Sequence, residues 1–354
     1  MSAHTLILYT GGTFGMVESD QGLAPASGIE ARLRQALAPR LDALPSFDVL
    51  ELETPLDSSN LQPQHWSELA ALLRQHWERY QSFVIIHGTD TMAYTASMLS
   101  YLFVPCEKPI VITGSQLPLA APRTDAIANL ELSLTVAAER KLTDVALVFG
   151  GRILKGCRSQ KVSSQALQGF DSPNEPWLGE GHIDLALTAK LDAPNTSDKT
   201  STRPDANPLA TRGVGLAAQW RFHDESVAVV HITPSVPSYV LDALLNAPQC
   251  KGVILVAYGA GNVPDTTASV QRFLTKAHQQ GIHVVCLSQC AHGGMSIGAY
   301  AASQLLAQNQ VLNGYDMTLE AAFCKLHYLF SLGLNDADIR RYWARNLVGE
   351  MRLS

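Results

Sequence analysis

Short apolar runs alternate with longer amphipathic segments along most of the chain. The short runs are continuously apolar, which is typical of strands in a parallel sheet that is covered on both faces. In the first half of the chain, this pattern predicts strands at 5–10, 47–53, 83–88, 109–114 and 144–150, separated by helices at 28–42, 64–80, 91–103 and 125–139. Strands and helices that alternate in this way indicate a doubly wound α/β architecture.

The pattern is interrupted at residues 191–213, which contain three prolines and many small polar residues. This composition favours a linker or a long insertion. Strand and helix runs then resume as far as two helices near the end of the sequence. We therefore predict an N-terminal catalytic domain with a larger, mainly parallel sheet (1–190), a linker or insertion (191–213) and a smaller C-terminal α/β domain (214–354).

The amino-acid composition argues against two classes of protein, disordered proteins and nucleic-acid-binding proteins. Hydrophobic residues make up 46% of the 354 residues and charged residues only 16%, which argues against extended disorder. The small charged fraction also suggests that part of the surface is buried in an oligomer. The net charge of −6 and the absence of a basic stripe argue against nucleic acid as the main partner.

The sequence shows no signal for membrane insertion or export. It contains no run of 18 apolar residues, and the opening MSAHTLILYTGG has no basic segment and no small-residue cleavage site. We expect a cytoplasmic protein, in which the six cysteines are reduced and mostly buried. Cys286, Cys290 and His292 lack the second ligand pair that a zinc site needs, so we expect no metal.

Two predicted strands end in segments that combine glycine with threonine. Tyr9 to Met16 reads YTGGTFGM, and His87 to Met92 reads HGTDTM. Ligands of open parallel sheets bind beyond the carboxyl ends of the strands, and paired glycines allow close approach of the backbone. Thr13 is therefore a candidate nucleophile, although the same residues are compatible with a plain glycine-rich turn. Asp90 is a candidate cap of the next helix and a candidate binding residue, and the two roles are compatible.

A third segment, from Arg152 to Lys161, holds four basic residues within ten positions. A basic stretch after a strand is most often a solvated loop. A catalytic lysine from this segment would have to lie near Thr89 or Asp90, and the spacing alone does not show whether it does.

Together, these motifs resemble the bacterial-type L-asparaginase family. The resemblance rests on TGGTFGM, HGTDTMAYTASML, KPIVITGSQLPL, Asp125 and Asn129. It is strongest to the cytoplasmic type I branch, through segments such as ETPLDSSN, AYGAGN and NLVGEM. It covers nearly the whole chain apart from 191–213.

The resemblance implies hydrolysis of L-asparagine to L-aspartate and ammonia by a homodimer or homotetramer, without a metal or an organic cofactor. Thr13 would be the acylated nucleophile, and Thr89, Asp90 and Lys161 would form a second catalytic group. Substrate binding would fall to Asp57, Ser58 and Ser59, together with Thr89 and Asp90. Because asparagine and glutamine differ by one methylene, binding separates them by only about 1–3 kcal/mol, and we expect minor glutaminase activity.

The chain departs from the family at the segment that follows TGGT. Many members carry a tyrosine on this mobile lid, whereas this chain has Leu23 at that place. Three explanations stay open: the tyrosine is dispensable, another tyrosine such as Tyr258 or Tyr300 replaces it, or the activity is low. The first is favoured. The arginine associated with cooperative members would fall near Val256, so we do not expect allostery.

Two other functions compete with the asparaginase hypothesis. One is a catalytically weak amino-acid-binding or regulatory homologue, and the other is an amidohydrolase that acts on glutamine or on a larger amide, such as a Glu-tRNA amidotransferase subunit. The presence of Thr13, Thr89, Asp90 and Lys161 together favours the enzyme. The acidic charge balance argues against a tRNA substrate.

Overall fold

The computed structural model describes residues 4–20, 22–139, 142–182, 184–188, 220–295 and 301–353. Contacts between Cα atoms divide these residues into two units, the first ending with the described residues at 188 and the second beginning at 220. The predicted linker at 191–213 lies outside the described residues. The domain limits 1–190 and 214–354 therefore stay predictions.

The first unit is built on an eight-stranded sheet. Its strands and those of two short hairpins are, in chain order, β1 (Thr5–Gly11), β2 (Met16–Ser19), β3 (Gly22–Pro25), β4 (Phe47–Leu56), β5 (Ser82–Ile86), β6 (Ile110–Thr113), β7 (Val145–Phe149), β8 (Arg152–Lys155), β9 (Gln160–Lys161), β10 (Phe170–Asp171), β11 (Gly179–Gly181) and β12 (Leu185–Leu187). The sheet order is β12-β11-β8-β7-β6-β5-β1-β4, while β2 pairs with β3 and β9 with β10.

Five neighbouring strands of this sheet, β4-β1-β5-β6-β7, are parallel, and β8, β11 and β12 extend it in antiparallel pairs. The chain passes from β1 outward to β4 and then returns across β1 to β5. This reversal makes the gap between β1 and β5 the topological switch point, where doubly wound sheets bind their ligands. Both strands are fully buried, as their continuously apolar sequences predict.

Four helices of the described residues cover this sheet: α1 (Ile29–Leu37), α2 (Pro63–Gln75), α3 (Met92–Leu102) and α4 (Ala126–Ala138). Their buried faces follow the spacing of three and four residues, as Trp66, Leu69 and Leu73 do in α2. One core cluster joins Leu33 of α1 and Leu130 of α4 to the apolar side chains of the sheet.

The second unit has a smaller parallel sheet of order β13-β14-β15-β16. Its strands are β13 (Val227–His231), β14 (Gly252–Ala257), β15 (His283–Ser288) and β16 (Leu312–Asn313). Its described helices are α5 (Ser238–Asn246), α6 (Ala268–Gln279), α7 (Ala301–Gln308), α8 (Leu319–Ser331) and α9 (Asp336–Trp343). A fully buried ion pair, Lys325 Nζ to Glu350 Oε1 at 2.6 Å, ties the C-terminal segment to α8.

The fold class predicted from the sequence is confirmed, since a larger, mainly parallel sheet is followed by a smaller α/β unit. The sequence analysis missed the hairpin β2–β3, the antiparallel extension of the first sheet and β16. These strands have two to four residues each and carry no long apolar run. In the part of the chain that the structure describes, no helix is both long and apolar enough to cross a membrane.

Candidate functional site

The two glycine–threonine segments lie next to each other at the switch point. Gly11 ends β1 and Gly12 follows it, with φ angles of 126° and 82°, at which residues with a Cβ are strained. A Cβ on Gly12 would lie 2.4 Å from the Cα of Gly88, which follows β5, and a Cβ on Gly11 would lie 2.2 Å from the Leu56 carbonyl oxygen. The glycines therefore allow the ends of β1, β4 and β5 to pack backbone against backbone.

The segment that contains Asp57, Ser58 and Ser59 joins the same place from the end of β4. A Cβ on Gly88 would lie 2.4 Å from Ser58 Oγ, so the buried Ser58 side chain fills the space that this glycine leaves. The Thr91 hydroxyl donates to the Ser58 carbonyl at 2.8 Å, and the Asp57 carboxylate accepts from the Ser59 amide at 3.0 Å. The structure thus packs Ser58 against the HGTDT segment and leaves Asp57 and Ser59 exposed beside it.

Lys161 lies beside Thr89 and Asp90, although about seventy residues separate them along the chain. Its ammonium donates to Thr89 Oγ1 at 2.9 Å and to Asp90 Oδ1 at 2.7 Å. Thr89 is buried, while the side chain of Asp90 is 60% exposed and that of Lys161 is 23% exposed. Because the threonine oxygen accepts from the lysine, its own proton is available to a further acceptor. These three residues form the candidate second catalytic group.

Thr13 opens a single 3-10 turn, Thr13–Gly15, directly after the glycine pair. Two contacts fix the position of this turn. Gly15 packs against the Tyr9 ring, and the Phe14 carbonyl accepts from the Leu119 amide at 2.9 Å. Thr13 itself is half-buried. Among the described residues, its hydroxyl forms no hydrogen bond with the Lys161–Thr89–Asp90 group. The structure thus places Thr13 at the neighbouring strand end, and its described hydroxyl makes no hydrogen bond to that group.

Two amides of the glycine turn are already engaged. Gly12 donates to the Leu56 carbonyl at 3.2 Å, and Gly15 donates to the Gly12 carbonyl at 3.3 Å. These amides are therefore unsuitable donors for a developing oxyanion. The amide of Thr13, which follows the glycine pair, remains a candidate donor.

Asp90 does not cap α3. The N-cap is Thr91, and neither residue makes a side-chain cap bond, because Thr91 binds Ser58 and Asp90 binds Lys161. The helix-cap interpretation of Asp90 is wrong for this structure. Its carboxylate is instead directed to the lysine ammonium.

The basic segment 152–161 is not a solvated loop. Arg152 forms an ion pair with Asp171 at 3.2 Å, and Lys155 pairs with Asp144. Arg158 is almost fully buried. These three cations are therefore paired or buried within the fold, whereas the Lys161 side chain extends to the candidate site. The sequence gives no sign of this division, because all four residues carry the same charge.

His87 forms a buried chain of hydrogen bonds behind the site, and the sequence analysis missed this role. Its Nδ1 lies 2.7 Å from the Gly88 carbonyl, so this nitrogen is the donor and Nε2 is the acceptor. Nε2 lies 3.1 Å from the Thr95 hydroxyl, which in turn accepts from the Trp66 indole at 3.2 Å. Burial lowers the pKa of His87, which favours the neutral ring that this arrangement needs.

Within the described residues, no group of three His, Cys, Asp or Glu side chains is arranged to hold a metal ion. The six cysteines all lie in the described residues and form no disulfide bond. Four of them are buried, as predicted from their apolar surroundings, whereas Cys106 is half-buried and Cys290 is exposed.

Comparison with known proteins identifies the family of the chain. Residues 4–192 match the model of the asparaginase N-terminal domain, and residues 226–343 match that of the glutaminase/asparaginase C-terminal domain. The chain belongs to the asparaginase family. It is 39% identical to L-asparaginase 1 of Escherichia coli over 347 residues, which is 98% of this chain and 97% of that protein.

Solved structures of asparaginases share the whole fold. The structure of L-asparaginase I from Vibrio cholerae matches with a TM-score of 0.83 at 35% identity and covers 100% of both chains. The thermostable L-asparaginase from Thermococcus kodakarensis matches with a TM-score of 0.82 at 27% identity, over 99% of this chain and 100% of that one. The family predicted from the sequence motifs is therefore confirmed.

Proposed function

We propose that this chain is an L-asparaginase, which hydrolyses L-asparagine to L-aspartate and ammonia. The observation that carries the proposal is the contact of Lys161 with both Thr89 and Asp90, beside the close-packed ends of β1, β4 and β5. Membership of the asparaginase family and the 39% identity to an L-asparaginase support the same activity.

In the proposed reaction, the Thr13 hydroxyl oxygen attacks the side-chain amide carbon of asparagine. The carbon–nitrogen bond breaks, and the nitrogen leaves as ammonia after taking up a proton. A water molecule then adds to the resulting ester, which releases aspartate and restores the Thr13 hydroxyl. The reaction consumes one water in total. A neutral threonine hydroxyl is a weak nucleophile, so a neighbouring group has to receive its proton.

The Lys161–Thr89–Asp90 group is suited to moving that proton. Asp90 and the Thr89 oxygen both accept from the ammonium, and the positive charge next to Thr89 stabilises negative charge on its oxygen. We assign Thr89 as the relay, which receives the proton of the Thr13 hydroxyl while its own proton passes to the leaving nitrogen, and Lys161 as the group whose charge stabilises the Thr89 oxygen. Asp90 orients the lysine and offers a carboxylate to the substrate ammonium.

Recognition of the substrate backbone falls to the DSS segment. Ser58 and Ser59 provide hydroxyls for the α-carboxylate, and Asp57 and Asp90 provide carboxylates for the α-ammonium. Ser58 is buried against Gly88, so this hydroxyl has a fixed position relative to the β5 end. A site that fixes both ends of the amino acid still discriminates weakly against one additional methylene, and we therefore expect minor glutaminase activity.

Ammonia release from asparagine and from glutamine tests the proposal directly. We expect wild type to release ammonia from asparagine, with slower release from glutamine. Thr13→Ala and Lys161→Met are expected to lose at least about 100-fold in kcat, as removal of groups that act in the transition state does. No release by wild type at millimolar asparagine would exclude the enzyme. Activity retained by Thr13→Ala would exclude only the nucleophile assignment.

The competing function is an amino-acid-binding homologue with little catalysis. The observation that favours it is Leu23, which occupies the place expected for the lid tyrosine and is 51% exposed. Under this alternative, calorimetry would detect asparagine binding while ammonia release stays at the background rate.

We further propose a homodimer or homotetramer in the cytoplasm. The low charged fraction of 16% supports an assembly, and the free cysteines are compatible with a reducing compartment. Light scattering coupled to gel filtration distinguishes the monomer, dimer and tetramer.

A further inference from the structure

The turn that carries Lys161 is fixed by a side chain from another strand end. Lys161 is the last residue of β9, and the antiparallel partner β10 begins at Phe170, so residues 162–169 form the turn between them. Inside this turn, the amides of Val162 and Ser163 both donate to the Gly169 carbonyl, at 2.8 and 3.2 Å. The position of the turn therefore sets the position of the Lys161 backbone.

Gln116, which follows β6, crosses to this turn. Its side-chain amide donates to the Ala166 carbonyl at 3.0 Å and to the Ser163 carbonyl at 3.3 Å. A Cβ on Gly169 would lie 2.8 Å from the Gln116 amide nitrogen, so the side chain also packs directly on the turn. One side-chain amide thus binds two backbone carbonyls of the turn.

The backbone of Gln116 is itself held by a buried pair. The Asp125 carboxylate accepts from the amides of Gln116 and Leu117, at 2.9 to 3.1 Å, instead of capping α4. The Asn129 side-chain amide donates to Asp125 at 3.1 Å and to the Gly114 carbonyl at 3.0 Å. Asp125 and Asn129 are both buried. The family resemblance in the sequence rests partly on these two residues, yet the proposed reaction assigns them no role.

We propose that Gln116 is a positioning residue for the reaction: supported by Asp125 and Asn129, it holds the 162–169 turn so that the Lys161 ammonium contacts Thr89 and Asp90. The inference rests on the proposed function for its effect on catalysis. The mechanical part, that Gln116 holds the turn, is independent of activity. Loss of the two hydrogen bonds is expected to make the position of the Lys161 ammonium less defined, without removing any group that contacts the substrate.

Two Gln116 variants separate hydrogen bonding from packing. Gln116→Leu removes the donors and keeps an apolar side chain, and Gln116→Glu keeps the shape but directs carboxylate oxygens at two carbonyls. Gln165→Leu, at an exposed position of the same turn, is the matched control. We expect both Gln116 variants to lower kcat about 10-fold with KM changed less than about 2-fold, because alignment rather than binding is lost.

Hydrogen exchange tests the mechanical part. Amides in the peptide that spans 160–171 are expected to exchange about 10-fold faster in both Gln116 variants, which corresponds to the loss of hydrogen bonds of ordinary strength, and at the wild-type rate in Gln165→Leu. Unchanged exchange in the Gln116 variants would overturn the inference whether or not the protein is an asparaginase. If wild type releases no ammonia but exchange responds, only the proposed function fails.

A double-mutant cycle shows whether Gln116 acts through the lysine. In a Lys161→Met background, Gln116→Leu is expected to cost no further activity, because the group that it positions has gone. An equal loss in both backgrounds would mean that Gln116 acts by another route, and the proposal would be wrong.

Discussion

At the scale of single residues, the candidate site requires a residue without a Cβ at position 88, which is Gly88. A Cβ there would lie 2.4 Å from Ser58 Oγ and 2.6 Å from Ser58 Cβ. We predict that Gly88→Ala lowers the free energy of unfolding by about 1–3 kcal/mol through overpacking and raises KM for asparagine by displacing Ser58. Urea unfolding and steady-state kinetics measure the two effects.

The double variant Gly88→Ala/Ser58→Gly is the control for this prediction. Ser58→Gly removes the nearest atoms of the clash, so the double variant is expected to be more stable than Gly88→Ala alone. Its KM stays high, because the proposed carboxylate-binding hydroxyl is lost. A double variant that is no more stable than Gly88→Ala would show that Ser58 is not the residue that Gly88 accommodates.

Leu23 stands at the place where the sequence analysis expects a lid tyrosine. It lies on β3 and is 51% exposed. Since the Lys161–Thr89–Asp90 group is assembled without a lid tyrosine, we predict that Leu23→Tyr changes kcat by less than about 3-fold, a difference below 1 kcal/mol. Leu23→Phe separates the effect of the ring from that of the hydroxyl. A rise of 10-fold or more in the tyrosine variant alone would show that the missing hydroxyl limits the rate.

The positions of several candidate-site residues were predictable from the sequence because these residues follow strand ends. Thr13, Thr89 and Asp90 directly follow apolar runs, and parallel strands bring their carboxyl ends to one edge. The contact between Lys161 and Thr89 was not predictable from spacing, because it depends on a hairpin with strands of two residues. The role of Gln116 was equally hidden, since its partners are backbone carbonyls, which every residue carries.

At the scale of elements, the hairpin β2–β3 is closed at its base by one side chain. The Arg32 guanidinium on α1 donates to the carbonyls of Gly15 and Ala26, both at 2.8 Å, and these residues flank the two strands of the hairpin. Glu51 of β4 accepts from the amide of Gly28 at 3.0 Å and thereby fixes the start of the same helix. Arg32 therefore joins the two ends of the expected lid.

We predict that Arg32→Met loosens this hairpin while the sheet stays folded. Hydrogen bonds from a charged donor contribute about 1.5–3 kcal/mol, so cleavage after Glu18 by a glutamate-specific protease is expected to become several-fold faster. The ratio kcat/KM is expected to fall several-fold, because the hairpin directly follows the Thr13 turn. Arg34→Met on the same helix, whose partner Glu30 lies on the surface, serves as the control. Equal cleavage rates in the two variants would contradict the role of Arg32.

Whether a strand was predictable from the sequence depended on the length of its apolar run. Strands such as β5 and β14 are buried along their whole length, and their continuously apolar sequences predicted them. By contrast, β8 has the sequence RILK, in which two basic residues flank two apolar ones and form ion pairs with Asp171 and Asp144. A strand of this kind cannot be predicted from local periodicity, because the partners that neutralise its charges are distant in the sequence.

At the scale of the whole molecule, the second unit contains two buried titratable groups with opposite effects on stability. Burial raises the pKa of Glu320 to about 7, although the Thr318 hydroxyl and the backbone amide of Glu320 itself oppose the shift. Burial lowers the pKa of His327 to about 4, and nearby His223 adds to the shift. Both groups are therefore held in their neutral forms near pH 6.

The sign of each contribution follows from the protons bound in each state. Folded Glu320 binds its proton more tightly than the unfolded chain does, so its contribution is complete below about pH 4.5 and is lost as the pH rises through about 7. Folded His327 binds its proton less tightly, so its contribution is complete above about pH 6.5 and is lost as the pH falls toward 4.

We therefore predict opposite pH dependences for two variants, each compared with wild type by urea unfolding at pH 5, 6 and 7 and constant ionic strength. The stability of Glu320→Gln relative to wild type is expected to increase as the pH rises, because the variant no longer has to bury a carboxylate. The stability of His327→Phe relative to wild type is expected to increase as the pH falls, because the variant has no imidazole to protonate. Slopes of the same sign, or differences that do not vary with pH, would show that these two groups do not control the pH response of the fold.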